Sequence, residues 1–194
     1  MPEQAIRLIA GLGNPGPHYA DNRHNAGFHW IDLLASRHVC RLHQENRFHG
    51  LLGRCQVGGV DLRLLEPQTY MNHSGRAVVA VARYFDIPPQ QILVAHDELD
   101  LPPGEVRLKQ GGGHAGHNGL RDIMSALGSR DFWRLRIGID HPADRSRVVD
   151  YVLSRPGKSE GAAIDEALER SADCLADILA GRFQVVMNRL HSAR

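Results

Sequence analysis

AIRLIAGLGNPG, residues 5–16, decides the fold. Its apolar half is short and ends in glycines, so residues 5–13 read as a buried strand running into a tight turn. Residues 25–39 follow as a helix, because Phe28, Ile31, Leu34 and Ala35 recur at helical spacing. Strand, glycine turn and amphipathic helix make the repeating unit of an α/β sheet. Further along, residues 47–57 and 60–65 are strand-like runs split by Gly58-Gly59, which predicts a hairpin. Ser74 fits an N-cap for a helix through Phe85, with Val78, Val81, Ala82 and Phe85 on one face and Pro88-Pro89 closing it. ILVAHDE at 92–98 is a buried strand, LPPG at 101–104 a turn, and EVRLK a short strand beyond it. The glycines of 111–113 and 116–119 predict a loop, and a helix from near Asn118 ends at Gly128, a natural C′ residue. FWRLRIGID at 132–140 alternates as a strand. Residues 159–180 form one long amphipathic helix on Ile164, Ala167, Leu168, Leu175, Ile178 and Leu179, and a last helical stretch ends near Leu190. The expectation is an α/β fold in a single domain over residues 1–194, with a mixed β-sheet flanked by helices.

Composition narrows the function. A chain of 194 residues with 42% hydrophobic and 23% charged content is ordinary for a globular domain. No apolar run approaches the ~20 residues of a membrane span. The N-terminus lacks a basic region followed by an apolar core, so no signal peptide is expected. Cys40, Cys55 and Cys174 are odd in number and form no CxxC, which reads as reduced thiols in a cytoplasmic protein. A net charge of +1 argues against a strongly basic nucleic-acid binder. Charge is uneven, however: residues 107–147 hold eight basic residues against four acidic ones, which permits a local basic patch.

Five polar residues stand at the ends of the apolar runs: Asn14, His24, Asn72, Asp97 and Asn118. Ends of buried elements are where an α/β fold holds polar tips rigidly. His24 and Asp97 suggest an oriented general base, and the amides suggest a polar substrate held by neutral hydrogen bonds. No serine lies in GxSxG and no cysteine beside a base, so water is the expected nucleophile. Gly11 to Gly16 matches GxGxxG, yet the acid about 20 residues on, Asp32, falls inside the expected helix, and Pro15 removes a donor from the turn. A dinucleotide site is therefore not expected. His114 and His117 sit three apart in a glycine loop and no HExxH occurs, so neither a metal nor another cofactor is expected.

Together these motifs resemble the bacterial peptidyl-tRNA hydrolases. GLGNPG, Tyr19 with RHNAG, TYMNHSG, AHDELDLPPG, GGGHAGHNGLRDI and RLRIGIDHP stand in that family's order and spacing, essentially end to end. Two positions depart: Asn22, where the family usually has Thr or Ser, and Tyr70, where Phe is common. Neither removes a catalytic group. The resemblance implies a monomeric, cytoplasmic, metal-independent enzyme that hydrolyses the ester joining a peptide to the terminal ribose of tRNA. It implies His24 as catalytic base and Asp97 as its partner. Asn14, Met71, Asn72 and Asn118 are the implied substrate-binding residues, and Tyr19 lines the same cleft. Lys109 and Arg136, supported by Arg107, match the basic pair that holds the tRNA 5′-phosphate, and are expected on one face away from His24. Which amide stabilises the oxyanion stays open. The competing reading is a relative that binds RNA without hydrolysis, against which both His24 and Asp97 count.

Overall fold

The computed structural model describes residues 5–192. Seven strands form one sheet: β1 (Leu8–Gly11), β2 (His43–Glu45), β3 (Gly50–Val57), β4 (Val60–Pro67), β5 (Ile92–Glu98), β6 (Val106–Gln110) and β7 (Trp133–Gly138), in the order β2-β3-β4-β1-β5-β7-β6. β4, β1, β5 and β7 run parallel, while β2, β3 and β6 pair antiparallel at the two sides. The mixed α/β sheet expected from sequence is the fold observed.

Alternation along the strands makes two cores. Ile9, Leu93, Ala95, Leu135 and Ile137 face one layer, made by α1 (Ala26–Arg37), α5 (Lys158–Ala172), α6 (Leu175–Leu179) and α7 (Phe183–Ser192). Leu8, Ala10 and Val94 face the other, under α2 (Ser74–Tyr84) and α3 (Asn118–Leu127). Each buried Leu or Ile contributes roughly 1.5–3 kcal/mol. The second layer stops short of the β6–β7 side. There Arg107, Lys109, Arg134 and Arg136 share the strand face that α2 and α3 leave open.

Several local expectations change. The strand expected from residue 47 begins at Gly50, because Asn46–Phe48 form a 3-10 turn and His49 takes φ 53°, which no strand accommodates. That turn buries Phe48 against Tyr84 and Phe85, and the sequence reading missed β2 before it. Ser74 is not a cap but the first residue of α2. Its hydroxyl donates to the Met71 carbonyl, and the Gly75 N–H is taken up by the Asp122 carboxylate of α3. Asn118 opens α3, as expected. His117 is the cap, its Nδ1 accepting from Leu120 N–H at 3.3 Å. The long helix 159–180 breaks into α5 and α6 at Asp173–Cys174. Ser171 bonds back to the Ala167 carbonyl there, an i−4 contact that bends helices. A short α4 (Val148–Val152) was not anticipated.

One close approach sets the site. A Cβ on Gly27 would lie 2.3 Å from Leu12 N and 2.4 Å from Ala95 O. Only glycine lets the first turn of α1 rest on the ends of β1 and β5, and this contact carries His24 to the end of β5.

Candidate active site

A cleft of about 300 Å³ opens at the carboxyl ends of β1 and β5, the usual ligand position in open α/β sheets. Asn14, His24, Met71, Asn72, Asp97 and Asn118 all line it, although they come from five separate places in the chain. Tyr19 does not line the wall itself. It stacks edge-on against Tyr70, which does, with ring centroids 6.4 Å apart.

His24 sits in the 3-10 turn Arg23–Asn25 that leads into α1. Its Nδ1 lies 2.9 Å and 3.0 Å from the two carboxylate oxygens of Asp97. Asp97 is 3% exposed and receives a second imidazole, His117 Nε2, at 2.9 Å. Burial alone would raise the Asp97 pKa, but the two imidazoles hold it far below the usual carboxylate range. Burial works to lower the pKa of His24. The charge and hydrogen bond of Asp97 overcome it, so His24 ends above its ordinary value of 6.5. His117 has its tautomer fixed from both sides: Nδ1 accepts from the α3 backbone, so Nε2 carries the hydrogen that reaches Asp97.

The amides are oriented as well. Asn14 Oδ1 accepts from Met71 N–H at 2.7 Å, and the Asn14 backbone exchanges two hydrogen bonds with the Asn25 side chain at 2.9 and 3.0 Å. With its oxygen committed, the Asn14 side chain in the cleft lining has its Nδ2 hydrogens left to donate. Asn25, next to His24, is thus the brace that locks the GLGNPG turn to the RHNAG turn.

The neighbours of Asp97 on β5 face the opposite way. Buried His96 has its pKa driven well down by burial and by nearby His117 and Arg134. Its Nδ1 donates to the Asp97 carbonyl at 2.8 Å, and its Nε2 accepts from Arg134 Nε at 3.3 Å. Glu98 holds Arg136 Nε at 2.8 Å. Arg136 shares a face with Lys109 and Arg107, as expected, but it is not remote from the cleft, because Glu98 is part of the cleft wall. Lys109 has no acidic partner among the described residues, and Arg107 reaches Glu105 at 3.6 Å, both groups half-exposed.

Sequence reading missed His117, which it weighed only as a metal ligand, and also His96, Glu98 and Arg134. It also missed the apolar lip formed by Val149, 66% exposed, and Leu153 of the α4 region. The signal for His117 was its place just before a helix, where a side-chain acceptor is wanted. His24, Asp97 and His117 also form the one group among the described residues with ligand atoms close enough to hold a metal ion. An ion there would have to displace both hydrogen bonds to Asp97.

Comparison with known proteins gives a consistent assignment. A family model described as peptidyl-tRNA hydrolase matches residues 8–194. The peptidyl-tRNA hydrolase of Methylobacillus flagellatus is 56% identical over 187 residues, covering 96% of this chain and 97% of that protein. That of Nitrosomonas europaea is 53% identical over 190 residues, covering 98% and 97%. The crystal structure of peptidyl-tRNA hydrolase from Acinetobacter baumannii superimposes with a TM-score of 0.96 at 44% identity, covering 98% of this chain and 97% of that one. This chain belongs to the peptidyl-tRNA hydrolase family.

Proposed function

We propose that the chain hydrolyses the ester between a peptide and the terminal ribose of tRNA, with water as nucleophile, His24 as general base and Asp97 as its orienting partner. The observation that carries this reading is the hydrogen bond from His24 Nδ1 to Asp97 at the floor of the cleft. It keeps the Nδ1 hydrogen on His24, pointed at the Asp97 carboxylate, and leaves Nε2 unprotonated to take a proton from water. The water oxygen adds to the ester carbonyl carbon as Nε2 takes its proton. The carbonyl oxygen becomes an oxyanion, and the Asn14 amide, its orientation fixed by Met71 N–H, is the donor best placed to receive it. Collapse breaks the bond to the ribose oxygen, which takes the proton back from His24. The new carboxylic acid loses its remaining proton to solvent, and peptide carboxylate and free tRNA leave.

Asn72, Asn118 and Met71 hold the substrate near the ester, and Tyr19 acts through Tyr70. Lys109 and Arg136, with Arg107 beside them, take the 5′-phosphate. The chain acts as one domain over residues 1–194, as a monomer, since one chain supplies every wall of the cleft. It does so in the cytoplasm, in keeping with the absence of any helix long and apolar enough to cross a membrane among the described residues. The reaction needs no metal, because both imidazoles are already engaged by Asp97. The test is hydrolysis of N-acetyl-aminoacyl-tRNA by purified protein with a strong chelator present. Turnover should persist with chelator and vanish in His24→Ala. Loss on chelation with rescue by a divalent ion would overturn the metal-free mechanism, and an active His24→Ala would overturn the base.

A further inference from the structure

Cys40 and Cys55 lie together at the opposite end of α1 from His24. Cys40 ends the turn that follows α1, and its Sγ rests on β3. A Cβ at Gly53 would be 2.9 Å from that sulfur. Cys55 is two residues further along β3, on the same strand face as Gly53. His43 pairs antiparallel with Leu52, and that register continued back three residues sets Cys40 opposite Cys55. Cys40 is buried in the core under α1, and half-buried Cys55 packs against the same core. Cys174 lies apart, its Sγ on the Arg170 carbonyl. Neither member of the pair touches the hydrolytic cleft.

We propose that Cys40 and Cys55 are a redox modification site, closing to a disulfide by exchange with an oxidised low-molecular-weight disulfide. The thiolate of Cys55, the more accessible of the two, attacks one sulfur of the small disulfide. That S–S bond breaks, and one small thiolate leaves and picks up a proton. Cys40 then gives up its proton and attacks the Cys55 sulfur, and the second small thiolate leaves and is protonated in turn. Two protein thiols are oxidised, and one small disulfide is reduced to two thiols. Burial and the contact with Cys40 push the Cys55 thiol up to about 12. Its thiolate is therefore scarce, and closure is slow and quickens as pH rises. The bond ties the exit of α1 to β3 and closes the short loop between residues 40 and 55. It leaves the His24 end of α1 where it is.

The test uses the intact protein and oxidised glutathione at about pH 8, followed by alkylation, trypsin and mass spectrometry. Cleavage at Arg37, Arg41, Arg54 and Arg63 isolates HVCR, residues 38–41, and CQVGGVDLR, residues 55–63. The expected product is these two peptides joined, lighter than their sum by two hydrogens and separated again by reductant, with Cys174 alkylated as a free thiol. Cys40→Ser, which lacks the resolving thiol, should instead accumulate glutathione on Cys55. A glutathione adduct that persists on Cys55 of the unmutated chain overturns the proposal. So do free Cys40 and Cys55 in the unmutated chain after an oxidation long enough to load Cys40→Ser, and so does failure of either protein to react.

Discussion

Asp97→Asn keeps the volume of the side chain and removes only its charge and one acceptor, so it separates orientation from packing. Asp97 accepts from His24 Nδ1 at 2.9 Å and from His117 Nε2 at 2.9 Å. An asparagine offers one oxygen and one NH2 in place of two acceptors, so with its oxygen toward His117 its NH2 stands where Oδ2 accepts from His24 Nδ1 at 2.9 Å. His117 is already committed to donating through Nε2, because its Nδ1 caps α3. The amide oxygen therefore goes to His117, and the NH2 faces His24. His24 Nδ1 must then accept, Nε2 carries the hydrogen, and the base is lost. The expected fall in kcat is ~10²–10⁴, or about 3–5 kcal/mol of barrier. The pH profile should move too. His24 acts as a base only when neutral, so turnover grows as pH rises through its pKa, which Asp97 holds above 6.5. Without the carboxylate, burial acts unopposed, and the acid limb of kcat/KM should fall below that value. The assay is steady-state hydrolysis of N-acetyl-aminoacyl-tRNA between about pH 5 and 9, with a thermal melt to establish folding. A folded Asp97→Asn variant with kcat within about threefold of the parent and an unmoved acid limb would refute the dyad.

Three further outcomes are expected. Asn14→Ala should lower kcat by ~10²–10³ with a smaller change in KM, since an oxyanion donor acts mainly in the transition state; a pure KM effect would assign Asn14 to ground-state binding. Lys109→Ala should raise KM for full-length tRNA and flatten the salt dependence by about one counterion, with little effect on a short acylated fragment lacking the 5′-phosphate; Arg136→Ala should do the same but also disturb kcat, because it frees Glu98 in the cleft wall. Glu66, 5% exposed, has its pKa raised to about 9, by burial first and by Asp32 second. The folded state therefore keeps a proton that the unfolded chain releases above about 4.5, and stability should decline as pH rises from there to about 9. Glu66→Gln should abolish that slope in urea unfolding and gain ~1–3 kcal/mol near pH 8, whereas parallel pH profiles for the two proteins would disprove the buried acid.

Much of this was legible in the sequence because period and punctuation are local properties. The run to Gly13, the stripe of α1 and the ILVAHDE strand each announce themselves within a dozen residues. His24 and Asp97 were legible as polar tips on such runs, but their meeting depends on Gly27 seating α1 on the sheet, a contact between residues far apart in the chain. Local chemistry also misled. Ser74 has the right identity for a cap, yet Asp122 from another helix satisfies the N-terminus of α2. There a tertiary partner outcompeted a local propensity. The apolar lip of α4 had no periodic signal at all, since a five-residue helix is too short to show one.

The strand HDE, residues 96–98, joins the two halves of the proposed function by its alternation alone. Asp97 points to the α1 side and meets His24. His96 and Glu98 point to the other side, where Arg134 and Arg136 come from the neighbouring strand. Arg134 does not act as a surface cation. It is 3% exposed, and its guanidinium donates to the carbonyls of Gly111 and Gly113 at 3.2 and 2.9 Å. Those carbonyls begin the glycine loop that ends in His117 and Asn118. The loop is therefore anchored at one end by Arg134, which His96 accepts from only while neutral, and at the other by the bond from His117 to Asp97. Lys109 lies against the same loop, since a Cβ at Gly112 would be 2.9 Å from its Nζ. The basic face and the His24–Asp97 pair thus share one short strand and one loop. On the proposed function, that arrangement lets a chain with a net charge of only +1 concentrate RNA-binding charge where it also positions an ester.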